Sequence, residues 1–216
     1  MDLLGTIYDA VLSPVERLGL SAQRAALVAS ARGRVLEVGG GTGLTVGHYG
    51  AGVEEVVVCE PEAGMRRRLL DRAAASPVPV SVLPHGLPGL GLPDASFDTV
   101  VCVLVLCTVA DVDAAIAELR RLLRPDGDLL FLEHVLGRSP LMAGVQRLAA
   151  PAWARVAGGC RLDRDTISAL RAGGFVVADC ERLAPVGHVS SGTVIRGRAI
   201  PRRQARPSGG EREVPA

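Results

Sequence analysis

From Arg34 onward the chain alternates short, almost wholly apolar runs with stretches of helical period. "RVLEV" (34–38), "VEEVVVCE" (53–60), "VPVSVL" (78–83), "FDTVVCVLVL" (97–106) and "GDLLFLEHV" (127–135) are rich in valine and leucine and lack an apolar/polar alternation. Strands buried on both faces have this pattern. Between them, Asp111 to Leu123 places Val112, Ala115, Ile116, Leu119, Leu122 and Leu123 on one face of a helix. Asp111 is its N-cap candidate, Arg120, Arg121 and Arg124 suit the negative end of its dipole, and "RPDGD" turns the chain into the next strand. Strands alternating with helices predict a parallel sheet covered on both faces. "FVVADCERL" (175–183) and "GTVIRGRAI" (192–200) are joined by too few residues for a helical crossover, so that pair is expected to be antiparallel.

The same patterning divides the chain. Residues 1–31 read as an opening helical segment, broken at Pro14, and residues 32–200 as one α/β domain. Within that domain, 138–160 is a helical insert, with Pro140 to Gly159 helical and broken at Pro151, and Asp163 to Ala172 forms a further helix. From Pro201 the polar, proline- and glycine-rich tail to residue 216 is expected to be disordered.

Composition narrows the chemistry. A formal net charge of +1 and 3% aromatic residues give no footprint for a nucleic-acid partner. The sequence has no lysine, which removes Schiff-base chemistry and a phosphate-binding lysine, and no asparagine. Five cysteines, none in a C-x-x-C pair, read as reduced thiols, and the scattered histidines His48, His85, His134 and His188 give no metal-ligand spacing. No metal is expected. The first residues lack a basic leader, and the longest apolar run, Val100 to Ala110, is shorter than the roughly 20 residues of a membrane helix. A cytoplasmic protein without a transmembrane segment is expected; peripheral contact with lipid and the oligomeric state stay open.

The stretch Val35 to Leu44, "VLEVGGGTGL", follows a strand and is expected to precede a helix. Glycine permits a sharp turn and close approach of backbone to a ligand, at the strand ends where α/β sheets bind them. The dinucleotide register G-x-G-x-x-G fails: six residues from Gly39 stands Leu44, and from Gly41, Val46. What fits is acidic-x-G-x-G-x-G at Glu37, Gly39, Gly41 and Gly43. An acid, Glu60, closes the next strand, where a carboxylate can accept both hydroxyls of a ribose; a solvated loop charge is the alternative.

This set resembles the class I S-adenosylmethionine (SAM) methyltransferases. The resemblance implies a Rossmann-like class I methyltransferase fold: a mostly parallel seven-stranded sheet with an antiparallel last strand and helices on both faces. It also implies SAM as cofactor and S-adenosylhomocysteine (SAH) as product, held by Glu37, Gly39, Gly41, Gly43 and Glu60. Met65 is a candidate to pack on the adenine, with core packing the alternative. Many relatives carry an acid before "LPFPDxSFD"; here "PHGLPGLGLPDASFD" puts His85, Gly86 and Leu87 there, so backbone groups, Leu87 or His85 would hold the adenine. The stretch "FDTVVCVLVLCTVADVDAAIAELRRLLRPDGDLLFLEHV" and the later "LAAPAWARVAGGCRLDRDTISALRAGGF" are similar to a methyltransferase-like subgroup that includes membrane-associated thiol S-methyltransferases. Quinone and phospholipid methyltransferases, with a similar opening Tyr8-Asp9, are its neighbours.

The acceptor is then expected to be a small apolar molecule, a thiol before a quinol, phenol or other O- or C-nucleophile. Glu133 and His134 are the candidate catalytic groups, with His134 as base or orienting group and a structural histidine as the alternative. Cys107 stands after the fourth strand as a substrate-side candidate, and Cys160 reads as a buried, inert thiol, with a thiol facing substrate from its loop as the alternative. Tyr8 on the opening helix and Trp153 on the insert, with Leu141, Met142 and Leu148, are candidates for an apolar lid over the substrate. A nicotinamide oxidoreductase, a nucleic-acid methyltransferase and a non-catalytic SAM-binding protein are the competing readings.

Overall fold

The apolar runs from Arg34 onward lie between two hydrophobic layers, and successive residues feed alternate layers. The computed structural model of the chain describes residues 6, 8–10, 13, 16–183 and 193–202. Its sheet is formed by β1 (Gly33–Val38), β2 (Val53–Cys59), β3 (Val80–Leu83), β4 (Phe97–Val103), β5 (Leu123–Val135), β6 (Phe175–Arg182) and β7 (Thr193–Pro201), in the order β3-β2-β1-β4-β5-β7-β6. Leu36, Val38, Val57, Val100, Cys102, Leu129 and Phe131 pack on one side with Ile116, Leu119, Leu122 and Phe175. Val35, Val56, Val58, Val101, Val103, Leu130 and Leu132 pack on the other with Leu27, Val28 and Leu69. Both faces are dry, so no polar alternation is left in the sequence.

The β1–β2, β1–β4, β2–β3 and β4–β5 pairs are parallel; β7 runs antiparallel between β5 and β6. The short link between the last two runs allows only this hairpin. The helices are α1 (Ser21–Val28), α2 (Ala63–Ala74), α3 (Val112–Leu122), α4 (Pro140–Val156) and α5 (Thr166–Ala172). Asp111 caps α3 as expected, its carboxylate accepting the Ala114 N–H at 2.9 Å. A π-helical turn, Glu16–Leu20, leads into α1.

Six expectations change. No α-helix follows the glycine turn; residues 41–45 form turns and Val46–His48 a single 3-10 turn. Gly39, Gly41 and Gly43 all take positive φ (61°, 57° and 85°), which no α-helix tolerates, and too few residues remain before β2 to start one afterwards. The apolar run after Phe97 leaves the sheet at Val103 rather than Leu106, for a reason that lies in the site. α4 runs unbroken through Pro151. Proline there removes one helical hydrogen bond and crowds the Arg147 carbonyl, but both residues are exposed and water can satisfy the freed oxygen. Lastly, β5 begins at Leu123, so "RPDG" is an irregularity in its pairing with β4 rather than a separate turn, and α5 starts at Thr166 behind its Asp165 cap instead of at Asp163. Pro201 ends β7 rather than opening the tail. The expected break at Pro14, the link 184–192 with His188, and the tail from 203 lie outside the described residues. Among the described residues no helix is long and apolar enough to cross a membrane.

Candidate functional site

The carboxyl ends of β2, β1, β4 and β5 stand side by side, and the polar groups singled out in the sequence fall along this row. At β1 the chain enters the glycine turn, tied back by Gly39 and Gly40 N–H groups donating to the Cys59 carbonyl at 2.8 and 3.2 Å. A Cβ on Gly39 would come within 2.7 Å of Val105 Cγ2, on Gly40 within 2.2 Å of Val58 Cγ1, and on Gly43 within 2.9 Å of Leu69 Cδ1. These three glycines are required by neighbouring protein. Gly41 differs: among the described residues a Cβ there meets only the Tyr8 hydroxyl, at 4.0 Å. The turn therefore holds open one lane of space, above Gly41, beside the strand-end acid.

That acid, Glu60, is buried and accepts from the Gly41 N–H and the Glu62 N–H, each at 2.8 Å. A carboxylate offers about four lone-pair sites, so capacity for two ribose hydroxyls remains. The open lane over Gly41 and the unsaturated carboxylate beside it fit the amino-acid and ribose parts of SAM. Glu37 lies beneath the turn, its carboxylate accepting the Tyr49 hydroxyl at 2.8 Å. Burial pushes its pKa up, with the bonds from Tyr49 and Thr45 and the charge of Arg24 pulling the other way. It supports the turn from inside the core. Met65 is half-buried on the first turns of α2. His85 is exposed after β3, Gly86 packs against Pro61, and Leu87 packs on the core. The sequence alone placed this flank correctly after β3 but could not show which way each side chain turns.

The opening segment crosses the glycine turn. Asp9 accepts the Thr42 hydroxyl at 2.6 Å and pairs with Arg68 and Arg72 of α2, each at 2.8 Å. Desolvation raises the Asp9 pKa, but the bonds from Arg72, Thr42 and Arg68 outweigh it and hold the carboxyl below its usual range. Tyr8 is thereby held over Gly41. No sequence motif marked Arg68 or Arg72, and Asp9 stood in the Tyr8-Asp9 pair without a role; the basic run "MRRRLLDR" at helical spacing was the available signal. On the insert, by contrast, Leu141, Met142 and Leu148 are exposed on α4 and do not close over the row; of these lid candidates Trp153 alone reaches it.

At β4 the chain leaves the sheet with Leu104 at φ 58°, a conformation costing a non-glycine residue about 1–2 kcal/mol. Glu133 explains it. This fully buried carboxylate accepts the N–H groups of Val105 and Leu106 on one oxygen (3.0 and 2.9 Å) and of Cys107 on the other (3.1 Å). Three charge-assisted bonds, worth about 1.5–3 kcal/mol each, turn an apolar segment out of the strand. Burial pushes the Glu133 carboxyl up to about 7 although the three amides draw it down. Glu133 thus faces the loop backbone, whereas His134, its neighbour on the strand, points to the other face.

His134 Nδ1 lies 3.5 Å from Cys160 Sγ, which lies 3.7 Å from Cys107 Sγ. The three ligand-type atoms all fall within 4.8 Å of one another. Residues scattered in sequence meet in space: the fold assembles a cysteine–histidine–cysteine cluster from residues 26 to 53 positions apart. Cys160 is buried as expected, and its neighbours act on its thiol. The hydrogen bond it shares with Cys107 foremost, then the bond with His134, draw its thiol well below the usual range against the cost of burial, and that shared bond and burial push Cys107 up. Trp153 packs on this cluster, its buried indole N–H turned to the Cys160 sulfur. Of the remaining thiols, Cys59 and Cys102 are core residues and Cys180 is exposed.

A methyltransferase-domain family model matches residues 36–131. Thiol S-methyltransferase TMT1B of Homo sapiens is 33% identical over 177 residues, 80% of this chain and 72% of that protein. The ubiquinone/menaquinone biosynthesis C-methyltransferase UbiE of Shewanella oneidensis is 36% identical over 122 residues, 53% of this chain and 48% of that one. Among solved structures, a SAM-dependent methyltransferase from Thermotoga maritima superimposes with a TM-score of 0.66 at 19% identity, over 92% of this chain and 96% of that one, a likeness of fold.

Proposed function

The chain belongs to the SAM-dependent methyltransferases, and on that premise we propose that it transfers the methyl group to the sulfur of a small apolar thiol. SAM supplies, when bound, a methyl group on a sulfonium with its leaving group built in. What the protein must add is alignment, exclusion of water and management of one proton. The Gly41 lane and Glu60 would hold and orient the cofactor, and the Tyr8–Asp9 segment would cover it.

The observation that carries the reading is His134, half-buried at the end of β5 beside a sulfur-lined, apolar corner of Cys107, Cys160, Leu162 and Trp153. With Nδ1 turned to Cys160, Nε2 is the nitrogen available to take the acceptor's proton. One imidazole suffices for a thiol, which ionises readily with a free pKa of about 8.5, and is a weaker match for a hydroxyl, whose proton is harder to remove. The match to a thiol S-methyltransferase over most of both chains supports the same acceptor. Methylation of a quinol or phenol is the second reading, favoured by the shorter match to the quinone C-methyltransferase.

Product detection by mass, on size-matched apolar thiols and phenols at neutral pH, decides between them. The thiol should turn over at least about tenfold faster, with a rate rising with pH as the thiolate forms. A phenol methylated while the thiol is untouched would reverse the assignment.

A further inference from the structure

We infer that Cys107, His134 and Cys160 form a binding site for a zinc-class divalent cation, with a fourth corner left for the acceptor thiol. The distances carry the first part. A tetrahedral zinc with bonds of about 2.3 Å to sulfur and 2.0–2.1 Å to nitrogen separates two thiolates by about 3.8 Å and a thiolate from an imidazole nitrogen by about 3.5 Å. The cluster shows 3.7 Å between Cys107 Sγ and Cys160 Sγ, and 3.5 Å between Cys160 Sγ and His134 Nδ1, with every pair within 4.8 Å. Two sulfurs and an imidazole select zinc or a similarly soft ion over magnesium or calcium.

The surroundings add two independent features. Cys107 is anchored by its N–H to Glu133, and Cys160 by its N–H to the Ala157 carbonyl, so both sulfurs are presented by fixed backbone. The buried indole N–H of Trp153 is turned to the Cys160 sulfur, where it would go on donating to a metal-bound thiolate.

Two thiolates and one imidazole are the donor set of catalytic zinc that keeps an open position. Cys107 and Cys160 are buried whereas His134 is only half-buried, so the open corner faces the row of strand ends on the His134 side. Binding releases one proton from each cysteine thiol; a substrate thiol entering the fourth corner coordinates as thiolate and releases a third proton to solvent. With the cation in place, its charge does the deprotonation otherwise assigned to the imidazole, and Nδ1 becomes a ligand. This second part rests on the thiol reading above.

The test uses the reduced full chain, stripped with a chelator and titrated with zinc and separately with cobalt(II). Saturation near one ion per chain is expected, with thiolate-to-cobalt charge-transfer absorption. Because loss of even an outer-shell partner costs about 10–100-fold in metal affinity, Cys107→Ser and Cys160→Ser should each weaken zinc binding by more than about 100-fold. Cys180→Ser, at an exposed thiol remote from the cluster, should leave it unchanged. Circular dichroism and SAH calorimetry on each variant check the fold independently of the metal. Absence of saturable zinc binding to the reduced protein, or wild-type affinity in a folded Cys160→Ser, overturns the site. An apolar thiol, but not its phenol analogue, should shift the cobalt spectrum; zinc binding without that shift overturns the fourth-corner assignment. SAH binding that survives these failures leaves the methyltransferase reading standing, and thiol turnover in metal-free protein overturns only the metal's role.

Discussion

Replacing Glu133 by leucine is expected to remove about 3–5 kcal/mol of stability, a large share of the roughly 5–15 kcal/mol of an ordinary domain. The reason is what stays behind. The N–H groups of Val105, Leu106 and Cys107 keep their places in a dry loop and lose their only acceptor. Each such orphan costs about 1–3 kcal/mol, and relief from burying a carboxylate recovers part of the sum. Leu104 would also lose the interaction that holds its left-handed backbone. Glu133→Gln should be milder, about 1–2 kcal/mol, because its carbonyl oxygen can still serve Val105 and Leu106. Urea unfolding followed by circular dichroism measures both. A Leu variant as stable as the parent would show that the carboxylate does not organise this loop.

Glu133 also marks the boundary of what could be read from the chain alone. The parallel core was legible because its strands are apolar on both faces, and the hairpin because its link is short. The glycine turn and Glu60 were legible because turn chemistry is local and its register is strict. The exit of "LVL" from the sheet was not, since Leu104, Val105 and Leu106 look like strand and the cause of their turning stands on another strand. The missing helix after the glycine turn follows from three positive φ angles that the motif contains but that a periodicity count does not weigh. Cys107, His134 and Cys160 were each visible, and their meeting was not, because it depends on how α4 and the loop after it fold back over β4 and β5.

Gly41→Val is expected to weaken SAM and SAH binding by more than about 100-fold, equal to roughly 2.7 kcal/mol, while leaving the fold in place. The neighbouring glycines cannot give so clean a result: substitutions at Gly39, Gly40 or Gly43 would drive a Cβ into Val105, Val58 or Leu69. At Gly41 the side chain would enter space bounded, among the described residues, only by Tyr8, at a backbone φ of 57°. Left-handed strain of about 1–2 kcal/mol is tolerable to a domain of ordinary stability; filling the lane that the cofactor must enter is not tolerable to binding. Calorimetry with SAH, beside a thermal melt of the same sample, separates the two effects. Unchanged affinity in a folded variant would move the cofactor away from this turn.

The most direct measurement of the account is transfer of an isotopically labelled methyl group from SAM, followed by mass detection of the acceptor. The label should appear on the sulfur of an apolar thiol with the parent protein and fall to background with Gly41→Val. Label that stays on SAM with every thiol offered, in a protein that still binds SAH, would contradict thiol methylation at this site.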